Sequence, residues 1–404
     1  MRILFLNDAY PGRLGALAAC FATNPENEVL FASSYARQGF SLPGVHRVLL
    51  KTARENGENS DKDVFEREWI RALKVGRLAA SSLLKLREAG FTPDMIVSSS
   101  ARGHALFVRQ IFPQAFYVSY TAELFASPGI ADYCYSDKAL LQHVLQSAYL
   151  NQSHIFFVFS QWQKKIFPEF MRDCIDVVPT FVDTNFFCTE ISEPLYCNGV
   201  NLSSQQELIS FSITNMQFAR SKTLWQFIVL LLQSRPQCHV VLSTGRPEIK
   251  AQLEAFPPLL LKNDENRLHI IDFLSLREYR DMLCASLAHI RLDAQNNLGK
   301  LLEIMSCGTV LITPFQEDSD SAGVLQHNEN MLFCPEGHTI ETCHHLVEQL
   351  ANPEALNALR VRARETAQAF RQQDVLTRHA MRLTNEYVRW KDGQNSNSQT
   401  VAPG

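Results

Sequence analysis

One carboxylate, Glu303, interrupts an otherwise apolar stretch, Leu301-Leu302-Glu303-Ile304-Met305-Ser306-Cys307-Gly308-Thr309-Val310-Leu311-Ile312-Thr313. Held at a crevice, such a group can accept two hydrogen bonds from a vicinal diol, for instance a ribose, and stay ionised near neutral pH. The plainer alternative is a solvated helix residue. Arg220 and Lys222 stand two positions apart after an apolar run. Two cations there can neutralise a diphosphate as charge builds on a leaving group, without a metal. Solvated surface cations are the alternative. Pro11-Gly12-Arg13-Leu14-Gly15 follows the first apolar run, where backbone N–H groups at a helix start can meet an anion and Gly12 permits close approach. A tight turn explains the same residues equally well. This segment is not a GxGxxG fingerprint, and no acidic residue closes a second strand about 20 positions on, so a nicotinamide-dependent oxidoreductase is disfavoured.

Other groups are less specific. Arg102, Gly103 and His104 follow one apolar run, and Glu123 follows Tyr120 at the end of the next. These residues can face a second substrate, or be packed and solvated side chains. Asp318-Ser319-Asp320 spells a DxD metal motif, but it falls in a long polar loop near the end of the second half, where a solvated acidic loop is expected. Ser98-Ser99-Ser100 and His344-His345 lack a nucleophile elbow or ligand partners and read as structural.

The elements that must carry these residues alternate. Apolar runs at Ile3–Leu6, Val29–Ala32, Val45–Leu50, Met95–Val97, Phe116–Ser119, Ile155–Phe159 and Ile175–Val178 are separated by helical segments, the pattern of a parallel sheet. After a polar connection, Thr189–Glu207, the alternation restarts: strands at Leu208–Ile213, His239–Ser243, Leu268–Phe273, Ala288–Leu292 and Thr309–Thr313, and helices at Leu224–Gln233, Leu276–Ala285 and Leu298–Ser306. Gly308 can take the positive φ that ends the last of these helices. The expected fold is α/β, with two doubly wound Rossmann-like domains, 1–188 and 207–373, facing across a cleft at the carboxyl ends of their strands. Helices are expected over Pro353–Phe370 and Asp374–Trp390, and the polar 392–404 segment reads as a disordered tail.

Composition narrows the class. A chain of 404 residues exceeds one ordinary core, so two domains are the default. The formal charge of -4, with both signs interspersed, gives no reason to expect nucleic acid as a partner. Ten cysteines are scattered without a CxxC pair or zinc spacing, which suits reduced thiols in a cytosol rather than disulfides or a metal framework. The opening apolar stretch is too short for a signal peptide, and no run approaches the roughly 20 residues of a membrane helix. Phe65–Arg87 mixes apolar and basic residues at near-helical spacing, which suits an ordinary surface helix and leaves peripheral membrane contact open.

The Glu303 segment resembles the LLEAMACGxPVV block of the family-4 glycosyltransferases, retaining enzymes of the GT-B fold. Further segments follow in the same order. Ile175-Asp176-Val177-Val178-Pro179-Thr180-Phe181-Val182-Asp183-Thr184-Asn185-Phe186-Phe187 resembles VIPNGVDTxxF. Leu6–Leu14, Gly90–Val97 with Leu106-Phe107 and Phe112-Pro113, and Thr214–Ser221 are similar to the NFPGQF-like, GFxPDxIV-like and TRNMEPYRGF-like blocks of a bacterial subgroup. The resemblance spans roughly residues 1 to 390 and rests on order and spacing. It implies a retaining, metal-independent hexosyltransferase-like enzyme that moves a sugar from a nucleotide-diphosphate donor to a hydroxyl of a glycan or glycolipid precursor. The setting would be bacterial surface polysaccharide assembly, in the cytoplasm or at the inner membrane face. No cofactor is expected.

In that reading the catalytic residues are Arg220, Lys222 and Glu303. Gly12, Arg220, Lys222, Gln295, Leu302 and Glu303 contact the donor, and Arg102, His104 and Glu123 lie on the acceptor side of an N-terminal acceptor domain. The 374–391 helix would cross back to that domain. The chain departs from the family pattern at Gln295, where a second Glu is common, at Thr214, where the subgroup has Arg, and at Gly323, where an acidic residue is frequent. Lys222 is near enough to replace the missing Arg in part, without its bidentate fork. These departures define the alternative, a catalytically silent GT-B protein that scaffolds or regulates a glycosyltransferase partner. A nucleotide-sugar epimerase would need a carboxylate and histidine set that the sequence does not display.

Overall fold

The computed structural model describes residues 1–36, 41–51, 64–99, 103–121, 144, 147–167, 169–178, 180–197, 199–205, 207–214, 216–255, 265–292, 298–314, 321, 323–335 and 339–399. Two compact units divide the chain, Met1–Pro179 with Gln373–Gly404 and Thr180–Gln372.

In the first unit the described strands are β1 (Arg2–Tyr10), β2 (Glu28–Ala36), β3 (Val45–Leu49), β4 (Met95–Ser99), β5 (Phe116–Tyr120), β6 (Ile155–Val158) and β7 (Ile175–Val177). They pair in the order β3-β2-β1-β4-β5-β6-β7, each pair parallel. Leu4, Leu6, Ile96, Tyr117 and Phe156 face a core covered by the Val64–Glu88 helix, and continuous burial along β4 and β5 explains their unbroken apolar runs. The helix Gln372–Gln399 packs on this unit. Its His379 Nε2 lies 2.6 Å from the Tyr120 hydroxyl, Arg382 pairs with Asp176 at 2.6 Å, and the Tyr387 hydroxyl donates to Asp94 at 3.2 Å.

The second unit repeats the plan. After a small hairpin of β8 (Tyr196–Cys197) and β9 (Val200–Asn201), it carries β10 (Glu207–Ser212), β11 (Cys238–Ser243), β12 (Leu268–Ile271), β13 (Ala288–Arg291), β14 (Val310–Thr313) and β15 (Leu332–Phe333). Their order is β12-β11-β10-β13-β14-β15, and the pairs are parallel. Phe211, Phe227, Ile290 and Ile312 fill one face of this sheet, while Val241, Met282, Leu301, Leu302 and Leu311 fill the other. The helix Leu276–Ala285 opens with a reciprocal cap, Ser275 accepting from the Glu278 N–H and the Glu278 side chain accepting from the Ser275 N–H. In both sheets the strand order reverses between the first strand and the fourth, so each unit has a topological switch point at the carboxyl ends, between β1 and β4 and between β10 and β13.

The polar tail requires a correction. The last helix continues to Gln399, past the point at which composition indicates disorder. Extending an existing helix adds a hydrogen bond per residue fixed, without a new nucleation step, so a weakly helical tract can follow a strong one. Among the described residues, no helix is long and apolar enough to cross a membrane.

Candidate functional site

A set of hydrogen-bonded polar side chains lies at the switch point of the second unit. The β10–β13 register sets Ser210 opposite His289 and Ser212 opposite Arg291. His289 is fully buried, its Nδ1 lying 2.8 Å from the Ser210 hydroxyl and its Nε2 2.9 Å from that of Ser212. Burial, reinforced by the Arg291 charge, pushes the imidazole down to about 3, so it stays neutral at physiological pH. It is therefore a fixed hydrogen-bonding post rather than a base.

Glu303 is the sixth residue of the nine-residue helix Leu298–Ser306, which descends from this edge. Its side chain is 17% exposed, and Lys300 Nζ, one turn earlier, donates to both carboxylate oxygens at 3.0 and 2.8 Å. Burial raises the Glu303 pKa above the usual carboxylate value, while Lys300 and then Arg291 pull it back. Tyr279 completes the group. Burial, and next the Glu303 charge, push its hydroxyl upward, and the Lys300 ammonium lies 5.8 Å from its ring centroid. A partly exposed carboxylate flanked by two cations can accept from a diol, because ionised oxygens retain lone pairs beyond those that Lys300 uses.

Arg220 and Lys222 occupy the connection after β10, the neighbour of β13. Both are exposed. The Arg220 guanidinium donates to Gln252 Oε1 at 3.3 Å from Nε and 3.1 Å from Nη2. Lys222 opens the helix Lys222–Ser234, which Ser221 caps by accepting from the Leu224 N–H. Two solvated cations thus stand on one connection at the carboxyl end of β10, and Thr214 is exposed beside them.

Several expected contacts are placed differently. Leu302 is fully buried in the apolar cluster that also holds Val182, Met282 and Leu311, so only its backbone can reach a donor. Glu303 lies one and a half turns into its helix, with the Lys300 ammonium on both its oxygens. Gly12 has φ +49°, and a Cβ there would fall 2.1 Å from Asn7 Nδ2 and 2.7 Å from the Ala9 carbonyl. Asn7 donates to that carbonyl at 2.9 Å, so closure of the turn accounts for the glycine by itself. His104 is buried, its Nε2 2.8 Å from the Ser34 hydroxyl. That bond anchors the ring to β2. Arg102, Glu123, Gln295 and the Asp318-Ser319-Asp320 segment lie outside the described residues.

Sequence reasoning missed Lys300, Arg291, Tyr279 and His289. Only Lys300 left a local signal, a cation three residues before a carboxylate on one helix. A shallow groove along the last helix, lined by Arg378, Met381, Arg382, Asn385, Glu386 and Arg389, belongs to the first unit. Its Arg382 and Arg389 are engaged by Asp176 and Glu386, and it offers no comparable chemistry. Among the described residues, no three His, Cys, Asp or Glu side chains gather as a metal site.

The model of a family described as Glycosyl transferase family 4 group matches residues 25–187. No curated protein matches the sequence. Solved structures similar to this chain include Anabaena HepE in complex with UDP and glucose, 13% identical with a TM-score of 0.65, over 95% of this chain and 100% of that one. A sucrose-phosphate synthase from Thermosynechococcus elongatus is 14% identical with a TM-score of 0.65, over 97% of this chain and 100% of that one. A UDP-N-acetylglucosamine 2-epimerase from Listeria monocytogenes, described as putative in its own name, is 12% identical with a TM-score of 0.61, over 96% and 97%. These likenesses show the fold, a pair of Rossmann-like units of the GT-B type.

Proposed function

We propose that the protein is a retaining glycosyltransferase that moves a sugar from a nucleoside-diphosphate donor to a hydroxyl of a glycan or glycolipid precursor, in bacterial surface polysaccharide assembly at the cytoplasmic face of the membrane. The observation that carries this reading is Glu303, a partly exposed carboxylate at the β10–β13 switch point with Lys300 on both its oxygens and the Arg291 charge favouring its ionised form. The family match over residues 25–187 favours transfer over epimerisation, and UDP in the similarly folded HepE supports a uridine nucleotide as the first probe.

In this reading Glu303 accepts the donor's ribose hydroxyls, while Arg220 and Lys222 neutralise the diphosphate that leaves when the sugar's anomeric bond breaks. His289, held neutral between Ser210 and Ser212, keeps the floor of the site rigid. Acceptor binding falls to the first unit, with Glu123, Arg102 and the loop of His104 as its candidates.

Because protein cations carry the phosphate charge, UDP is expected to raise the melting temperature equally with and without a chelator of divalent ions. A ligand present at 100 times its Kd stabilises by about 2.7 kcal/mol, a shift of several degrees that thermal denaturation reads easily. Stabilisation that vanishes in chelator overturns the metal-free part. Absence of any shift across a panel of nucleoside diphosphates overturns the donor reading.

A further inference from the structure

We infer that Lys300 is the positioning residue of the donor site: its ammonium holds the Glu303 carboxylate ionised and oriented, and so sets the pH range over which the donor's diol can be bound. The inference rests on the proposed role of Glu303.

The geometry is specific. Lys300 and Glu303 share one face of the Leu298–Ser306 helix, and a single Nζ reaches both carboxylate oxygens, at 3.0 and 2.8 Å, which fixes the plane of the group. The pair differs from an ordinary surface ion pair because Glu303 is 17% exposed whereas Lys300 is 44% exposed. The charge lost from water is chiefly that of the carboxylate. Without a partner such a group protonates readily, and the protonated form presents one O–H donor and a weaker acceptor in place of two ionised oxygens. A vicinal diol then has only half its partner.

The groups facing Glu303 from the surrounding elements give Lys300 the leading part. Arg291 at the end of β13 favours the ionised form more weakly than Lys300 does. Tyr279, on the helix Leu276–Ala285, is held neutral by burial and next by the carboxylate's charge, and Cys307, just past the end of Glu303's own helix, by its hydrogen bond with Cys284 and by burial, with the carboxylate's charge adding least. Lys300 alone among these four hydrogen-bonds both oxygens.

The test is UDP affinity by calorimetry across pH for the wild type, Lys300→Met, Lys300→Arg and Glu303→Gln. The ratio of variant to wild type is taken at each pH, so that the nucleotide's own titration cancels. Removing an adjacent opposite charge raises the pKa of a carboxylate, so the deficit of Lys300→Met is expected to grow as the pH falls from about 8.5 toward the acid side, by at most about tenfold for each unit of that rise. Lys300→Arg is expected to restore the wild-type profile. A deficit equal at every pH assigns Lys300 a general structural or phosphate-binding part and overturns the inference, as does a profile identical to wild type. Carbon-13 titration of the Glu303 carboxyl gives a readout independent of the donor: its midpoint should rise in Lys300→Met, and an unchanged midpoint overturns the inference. If Glu303→Gln binds UDP as tightly as wild type, it is the donor reading that fails.

Discussion

Arg220→Ala is expected to lower turnover by about two to three orders of magnitude, the usual consequence of removing one preorganised charge contact from a developing anion. Folding should be indifferent to the change. The guanidinium is exposed and its described hydrogen bonds reach only Gln252, so truncation leaves no buried partner unsatisfied. A fall in kcat with an unchanged melting temperature, measured with radiolabelled donor, checks both halves. The scaffold alternative predicts the opposite pattern. The wild type would transfer no sugar from any donor, Arg220→Ala would leave cellular glycan output intact, and surface substitutions elsewhere would abolish it.

Glu303→Gln is expected to weaken donor binding by about 1.5 to 3 kcal/mol, the worth of hydrogen bonds to a charged acceptor, which is roughly 10- to 150-fold in Kd. Stability should respond in the other direction. Burial raises the Glu303 pKa from its ordinary 4.5, so between that value and the higher folded value the native state binds more protons than the unfolded chain. Stability therefore falls as pH rises through that window and stays lower above it. Glutamine keeps the volume, removes the ionisation and leaves the half-exposed Lys300 free to hydrate. The variant is thus expected to melt no lower than wild type near neutral pH, and its stability should lose the acid-side gain. A marked loss of stability at neutral pH would instead identify Glu303 as a structural half of an ion pair.

Much of the fold is written locally. The runs Met95–Val97 and Phe116–Ser119 are unbroken because β4 and β5 are buried on both faces, and the helix Leu276–Ala285 matches its sequence signature through its Ser275 and Glu278 cap. Gly308 ends its helix at φ +69°, as a chain reversal before a buried strand demands. The site is less legible. His289 meets Ser210 and Ser212 only because β10 pairs with β13, a register between residues 79 positions apart for Ser210 and His289 that no local pattern encodes. Arg291 reads as any strand-end cation until the helix that follows β13 sets Glu303 within reach of its charge. Leu302 and Gly12 show how a motif residue can also serve the fold. Both lie in recognisable motifs, yet one is consumed by the core and the other by closure of its own turn. The helical 392–399 segment escaped because composition reports intrinsic preference, whereas the residues before it supply the nucleus.

Whether Glu303 holds the diol of a nucleotide donor is read by a calorimetric comparison of UDP with 2′,3′-dideoxy-UDP in the wild type and in Glu303→Gln. The wild type is expected to bind UDP about tenfold or more tightly than the dideoxy analogue, and most of this gap is expected to close in the variant, the coupling of two groups in contact. Equal affinity of the wild type for both nucleotides, or a gap that persists undiminished in Glu303→Gln, would contradict this role of Glu303.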